Sequence, residues 1–328
     1  MPKVKVSGLK AYYFTEYGII KAVDGINFQI SEGESLGIVG ESACGKSTLG
    51  AALMKSIQLP GRIVEGSVFL GNDNIMKMSP SEFDRKVRWK RIAMVFQGAM
   101  NVLDPVYTIE SQLREILTEH NFKGKIEDKV AESLQHVGLD LSIARRYPHE
   151  LSGGQKQRVV IAMALLLDPD VLIADEPTTA LDMLVQSQII NLLKKLQKEK
   201  GITVLLITHD LALVSRITDK IGIMYAGQLV EFSSTMDIYK KPLHPYTQAL
   251  IEAIPRLRSK DKKIHFVKGT PPSLHHPPLG CRFRDRCKYA MEVCKRDPPE
   301  FNTETGYVRC WLYDNNSAEK PPTLNSVG

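Results

Sequence analysis

The sequence predicts an α/β fold around a central, largely parallel sheet, and three observations predict it. Two short unbroken apolar runs, residues 171–174 (VLIA) and 204–207 (VLLI), suit strands covered on both faces. Helical patterns lie between them, so helix and strand alternate. Upstream, residues 35–39 (SLGIV) form a buried-strand pattern. It ends in a glycine-rich loop and is followed by a helical run at residues 49–54.

The other elements follow in chain order. Residues 1 to about 35 alternate apolar and polar (Val4, Val6, then Val23, Ile26, Phe28, Ile30) with glycines between, a strand and hairpin signal. Residues 110–147 are mostly helical in pattern, with Leu113, Ile116 and Leu117 at three- and four-residue steps from Ile109 and from one another. Near Pro255 the composition turns rich in Pro, Arg, Lys and Cys. That places a boundary at about 255: residues 1–255 form one domain and residues 256–328 an extension. Residues 315–328 read as a frayed tail. Few contacts are expected to cross such a boundary.

At 328 residues, with 43% hydrophobic and 24% charged, the chain has the profile of a soluble globular protein. Its longest apolar stretch, residues 159–167, is about half of what a membrane span needs. The charged start, MPKVK, leads straight into the strand pattern, which argues against a secretion signal. Lys and Arg number 43 against 37 Asp and Glu, a mild excess that singles out no partner.

The chemistry begins at Gly40-Glu41-Ser42-Ala43-Cys44-Gly45-Lys46-Ser47, followed by Thr48, which fits G-x-x-x-x-G-K-[ST]. Backbone N–H groups of such a loop curl round a phosphate. The next helix points its positive end at it, and Lys46 adds a full charge. The Ser47 hydroxyl is a Mg²⁺ ligand. Cys44 reads as a small residue that fits the loop. Further on, the strand at 171–174 ends in Asp175 and Glu176. Alternation aims two adjacent side chains differently, so Asp175 is expected to hold Mg²⁺ and Glu176 to polarise the attacking water. Ser152, Gly153, Gly154 and Gln155 precede an apolar helical run. Such a helix start, capped by serine and open at the backbone, binds anions.

The ordered set of phosphate loop, Gln97, Leu-Ser-Gly-Gly-Gln, Asp175-Glu176, Ala180-Leu181-Asp182 and His209 resembles the nucleotide-binding subunit of ABC transporters over about residues 4–255. The resemblance implies a P-loop NTPase with a RecA-like core, an antiparallel β subdomain and a helical subdomain at about 98–150. It implies ATP hydrolysis, with Gln97 contacting Mg²⁺ and the attacking water and His209 contacting the γ-phosphate. Tyr13 would stack on adenine, with Tyr17 as runner-up. The signature Ser152 to Gln155 would serve ATP bound on a partner subunit, and Asp182 would lie in the loop crossing that dimer. Many relatives have glycine where this chain has Ala43. If that position needs positive φ, alanine costs about 1 kcal/mol.

His244-Pro245-Tyr246-Thr247, Gly269-Thr270-Pro271-Pro272 and Gly280-Cys281-Arg282-Phe283 extend the resemblance to the dipeptide, oligopeptide and nickel branch of ABC importers, and within it to the first of two ATPase subunits. That implies a peripheral position on the cytoplasmic face of the cell membrane. The partners would be a paralogous ATPase subunit (a homodimer being the other arrangement), two transmembrane permease subunits and an extracytoplasmic solute-binding protein, with no nucleic acid. Nickel import, export and a soluble ABC role are the alternatives.

Cys281, Cys287, Cys294 and Cys310 crowd the extension, a pattern pointing to one metal site in a reducing compartment. Their long spacing and the surrounding Arg282, Arg284, Arg286, Lys288, Lys295, Arg296 and Arg309 favour a [4Fe–4S] cluster. Zinc and free buried thiols are the alternatives. His265, His275 and His276 are further possible ligands.

Overall fold

The computed structural model describes residues 2–254 and 267–314. The boundary at Pro255, His265 and the tail from Asn315 lie outside the described residues.

The chain opens with long antiparallel strands β1 (Pro2–Thr15) and β2 (Gly18–Ser31). Then come β3 (Ser35–Val39), α1 (Lys46–Leu53), β4 (Gly61–Leu70), β5 (Asp73–Asn74), α2 (Pro80–Lys86) and β6 (Ile92–Val95). Helices α3 (Ile109–Glu119), α4 (Ile126–His136) and α5 (Gly153–Leu165) follow. The second half alternates β7 (Val171–Asp175), α6 (Met183–Lys200), β8 (Thr203–Thr208), α7 (Leu211–Val214), β9 (Lys220–Tyr225), β10 (Gln228–Ser234), α8 (Thr235–Lys240) and α9 (Pro245–Glu252). Two short strands, β11 (Phe301–Asn302) and β12 (Tyr307–Val308), come last.

These strands form two sheets. One is antiparallel, ordered β2-β1-β4-β5. The other is ordered β11-β12-β10-β9-β3-β8-β7-β6 and is parallel from β9 to β6. Every residue of β3, β7 and β8 is buried, as their apolar runs require. Alternation divides them between two cores. Leu172, Ala174 and Leu206 join the core shared with α3 to α6, whereas Ile173, Leu205 and Ile207 face the antiparallel sheet and α1. The parallel strands end at their C-terminal edge in the loops after β3, β7 and β8, where an open α/β sheet gathers its chemistry.

The expected separation of the extension is not what the structure has. Strand β12 pairs antiparallel with β10, Glu231 opposite Val308 and Phe232 opposite Tyr307, and so extends the main sheet. Phe283 is buried against Tyr225 and Tyr246, at centroid distances of 5.3 and 5.4 Å. Arg282 pairs with Asp24 and the carbonyl of Ala226. The segment keeps one small cluster of its own around Val308, Cys310 and Leu312, while Phe283, Leu274, Cys281 and Cys287 join the core of the first domain.

Candidate nucleotide and catalytic site

The phosphate loop is tight enough to dictate its residues. Gly45 has φ of 103°, and a Cβ there would overlap the carbonyl oxygen of Ala22. Ala43 has φ of 62°, the left-handed conformation that a glycine would adopt freely. Cys44 is buried, and burial pushes its thiol pKa up, so it acts as a neutral filler of the core. Lys46 begins α1 with its Nζ folded back on the loop, donating to the carbonyls of Gly40 at 2.8 Å and Glu41 at 2.9 Å.

In front of the loop lies an open cleft of about 480 Å³. Its lining includes the polar Ser42, Lys46, Ser47, Gln97 and Glu176 and the apolar Ile20, Ala22 and Leu274, together with Tyr13. The Tyr13 hydroxyl sits 3.4 Å from Thr48 Oγ1. The runner-up, Tyr17, is 84% exposed at the hairpin turn and is not part of this lining.

The two carboxylates after β7 occupy different surroundings, as alternation predicts. Asp175 is buried, and burial raises its pKa against the opposing pull of the Ser47 hydroxyl. Its Oδ1 is buried without a hydrogen-bond partner among the described residues. Glu176, at φ of 45°, leaves the strand and turns to the cleft. Its Oε2 accepts from Gln97 Nε2 at 3.2 Å and Thr179 Oγ1 at 3.0 Å. Its Oε1 lies 3.0 Å from His209 Nδ1. Burial alone would raise its pKa, but the hydrogen bonds of His209 and Thr179 outweigh it and leave the carboxylate ionised. Gln97 follows β6 and His209 follows β8, so neighbouring parallel strands deliver all three residues to one point.

Ser152 caps α5 in a reciprocal box. Its Oγ accepts from Gln155 N at 3.3 Å, and its own N–H donates to Gln155 Oε1 at 2.9 Å. Ser152 and Gly153 are exposed, and the lining of the chain's own cleft does not include Ser152 to Gln155. Asp182 caps α6 through its Oδ1, 3.0 Å from both Leu184 N and Val185 N, beside the exposed side chains of Met183 and Leu184.

Several residues escaped the sequence reading. Thr179 touches the Glu176 carboxylate; its place three residues after Glu176 was the available signal. The His-Pro-Tyr-Thr segment proves to be a brace. His244 Nδ1 accepts from Tyr246 N at 3.0 Å, capping α9, and the buried Tyr246 hydroxyl accepts from Glu41 N at 3.0 Å. Arg286 and Leu274 reach the site from over two hundred residues away, and no local pattern marks them.

The expected metal centre is overturned. Cys281 N donates to Cys294 O at 2.9 Å, so the backbone brings those two segments together. Yet among the described residues no group of three or more His, Cys, Asp or Glu side chains is arranged to hold a metal ion, whether as an iron–sulfur cluster or as zinc. Cys281 and Cys287 pack against the main core, and Cys310 belongs to a small cluster with Val308 and Leu312. Burial, with the neighbouring cysteines adding to it, pushes the Cys281 thiol up to about 11 and raises Cys287 and Cys310 as well. Four of the seven cations expected to offset a cluster pair with carboxylates: Arg282 with Asp24, Arg284 with Asp285, Arg286 with Glu41 and Lys295 with Glu292. The His275 and His276 rings lie 6.3 Å apart, tilted by 40°, and belong to no metal-holding group among the described residues either.

Comparison with known proteins agrees with the cleft and with the extension. Residues 23–179 match the ABC transporter family model, and residues 230–294 match that of the oligopeptide/dipeptide transporter C-terminal region. The chain is 44% identical to the dipeptide transport ATP-binding protein DppD of Caldanaerobacter subterraneus subsp. tengcongensis, over 95% of this chain and 97% of that protein. It is 41% identical to the oligopeptide transport ATP-binding protein AppD of Bacillus subtilis, over 97% and 98%. A dimeric ATP-binding cassette, solved in a post-hydrolysis state with ADP and Pi, superposes with a TM-score of 0.63 at 31% identity, covering 71% of this chain and 98% of that one. The chain therefore belongs to the ATP-binding subunits of the ABC transporter family, in the branch that carries the oligopeptide/dipeptide C-terminal region.

Proposed function

We propose how this ATP-hydrolysing subunit of a peptide importer works. ATP lies in the cleft, its base against Tyr13 and its phosphates in the loop from Gly40 to Thr48 under Lys46. Glu176, ionised and aimed by Gln97, Thr179 and His209, orients and polarises the attacking water, and His209 meets the γ-phosphate. The orphaned Oδ1 of Asp175 beside Ser47 suits a hard cation, so these two, with Gln97, would hold Mg²⁺. When bound, that ion offsets phosphate charge. Ser152 to Gln155 stand outside the lining of their own cleft and serve ATP on a second ATPase subunit, a paralogue or a second copy, with Asp182 at the crossing.

Phe96, Val102, Val106 and Tyr107 are exposed apolar side chains next to Gln97, and they supply the surface on which two permease subunits dock. No helix among the described residues is long and apolar enough to cross a membrane. The subunit therefore works as a peripheral partner at the cytoplasmic face, and a solute-binding protein delivers dipeptides or oligopeptides outside. Nickel import, export and a soluble role have no observation in their favour.

The single observation that carries the mechanism is the convergence of Gln97, Thr179 and His209 on one ionised carboxylate at the mouth of the phosphate loop. Glu176→Gln tests it. Turnover in the assembled complex should fall at least about 100-fold while ATP affinity stays. Hydrolysis at the wild-type rate would assign the role elsewhere.

A further inference from the structure

We infer that Leu274, in the C-terminal extension, is a base-binding residue of the nucleotide cleft, and that this side chain acts on affinity for the base and not for the phosphates. This rests on reading the cleft as the ATP site.

The lining of the cleft is chemically mixed. Lys46, Ser47 and Gln97 supply polar groups suited to phosphates, and Ile20, Ala22 and Leu274 supply apolar surface together with the ring of Tyr13. Apolar side chains do nothing for a triphosphate, and they match the faces and edges of a heterocyclic base. Leu274 is the one member of that wall that comes from outside the N-terminal sheet.

Its position is fixed from both sides. The Leu274 carbonyl accepts from Lys21 N at 3.1 Å, so it is pinned to β2 between Ile20 and Ala22, the two residues beside which it lines the cleft. The next residue, His275, packs on the hairpin. A Cβ on Gly18 would stand 3.7 Å from its Nδ1. Upstream, Arg286 Nε donates to Lys268 O at 2.7 Å and Nη2 to Val267 O at 3.3 Å, while the same guanidinium binds Glu41 of the phosphate loop. The segment from 267 to 275 is thus strapped to the loop at one end and to the base wall at the other.

The test compares two ligands on the full-length protein, ATP and inorganic tripolyphosphate, by calorimetry. Leu274→Ala should raise the Kd for ATP roughly fivefold, and Leu274→Asp further, through the lost apolar contact. Neither should move the Kd for tripolyphosphate, and Leu274→Met should restore ATP affinity. An equal loss for both ligands would mark local damage to the loop and overturn the proposal. So would unchanged ATP affinity in both weakened variants. Lys46→Ala separates this from the reading of the cleft. If it leaves both ligands bound as tightly as before, the cleft is not the nucleotide site and both readings fall. If it weakens both while the Leu274 variants weaken neither, the cleft stands and only the role of Leu274 is lost.

Discussion

Arg286 of the extension grips Glu41, the second residue of the phosphate loop, through two parallel hydrogen bonds: Nη1 to Oε2 at 2.7 Å and Nη2 to Oε1 at 2.9 Å. Nη1 also reaches the Tyr225 hydroxyl at 3.2 Å, and the Arg286 side chain is only 6% exposed. The loop is therefore held from behind by a residue 245 positions away.

Because the pair is fork-to-fork and mostly buried, lysine cannot replace the arginine. Arg286→Lys should lower stability by about 1–3 kcal/mol, since Glu41 keeps its charge and loses half its partners. Glu41→Gln in the same chain should recover part of that loss. A double-mutant cycle by chemical denaturation measures the coupling. Additive losses would mean that the two side chains do not act together.

The His244 ring titrates inside the protein. Burial, aided by the positive charge of Arg309, pushes its pKa down to about 3, which keeps Nδ1 free to cap α9. A depressed pKa contributes stability that is full above the ordinary value of about 6.5 and is lost as pH falls from there toward 3. Glu231 has the opposite slope. Burial raises its carboxyl to about 7, so its contribution is full below its ordinary range and is lost as pH rises through 7. In His244→Asn, an amide oxygen caps without titrating. The stability lost between pH 6.5 and 4.5 should therefore shrink by an amount of order 2 kcal/mol. Denaturation curves of both proteins across that window check it; identical slopes would remove His244 as the titrating group.

Ala43 occupies a backbone conformation at φ of 62° that costs an alanine about 1 kcal/mol more than a glycine. Ala43→Gly should accordingly raise stability by a few tenths of a kcal/mol to about 1 kcal/mol, the relieved strain being offset by glycine's larger unfolded-state entropy. Thermal unfolding with and without nucleotide reads this. A clear drop in Tm would show that the Ala43 methyl packs usefully.

The sequence by itself determined the parts whose chemistry is local. The phosphate loop follows from residues adjacent in the chain, and β3, β7 and β8 follow from apolar runs that only a two-sided burial satisfies. The separate surroundings of Asp175 and Glu176 follow from strand alternation. The capping of α5 by Ser152 follows from a four-residue box. What only the tertiary structure decided depends on segments far apart in sequence. The extension looked like a separate cysteine site because clustering along the chain was the only distance available. Folding instead pairs β12 with β10, gives Arg282 and Arg286 carboxylate partners, and packs Cys281 and Cys287 against the main core. Arg286 on Glu41, Tyr246 beneath the loop and Leu274 at the base wall depend on contacts spanning more than two hundred residues. Chain entropy makes such contacts invisible to any local pattern until the sheet has formed and set its neighbours beside one another.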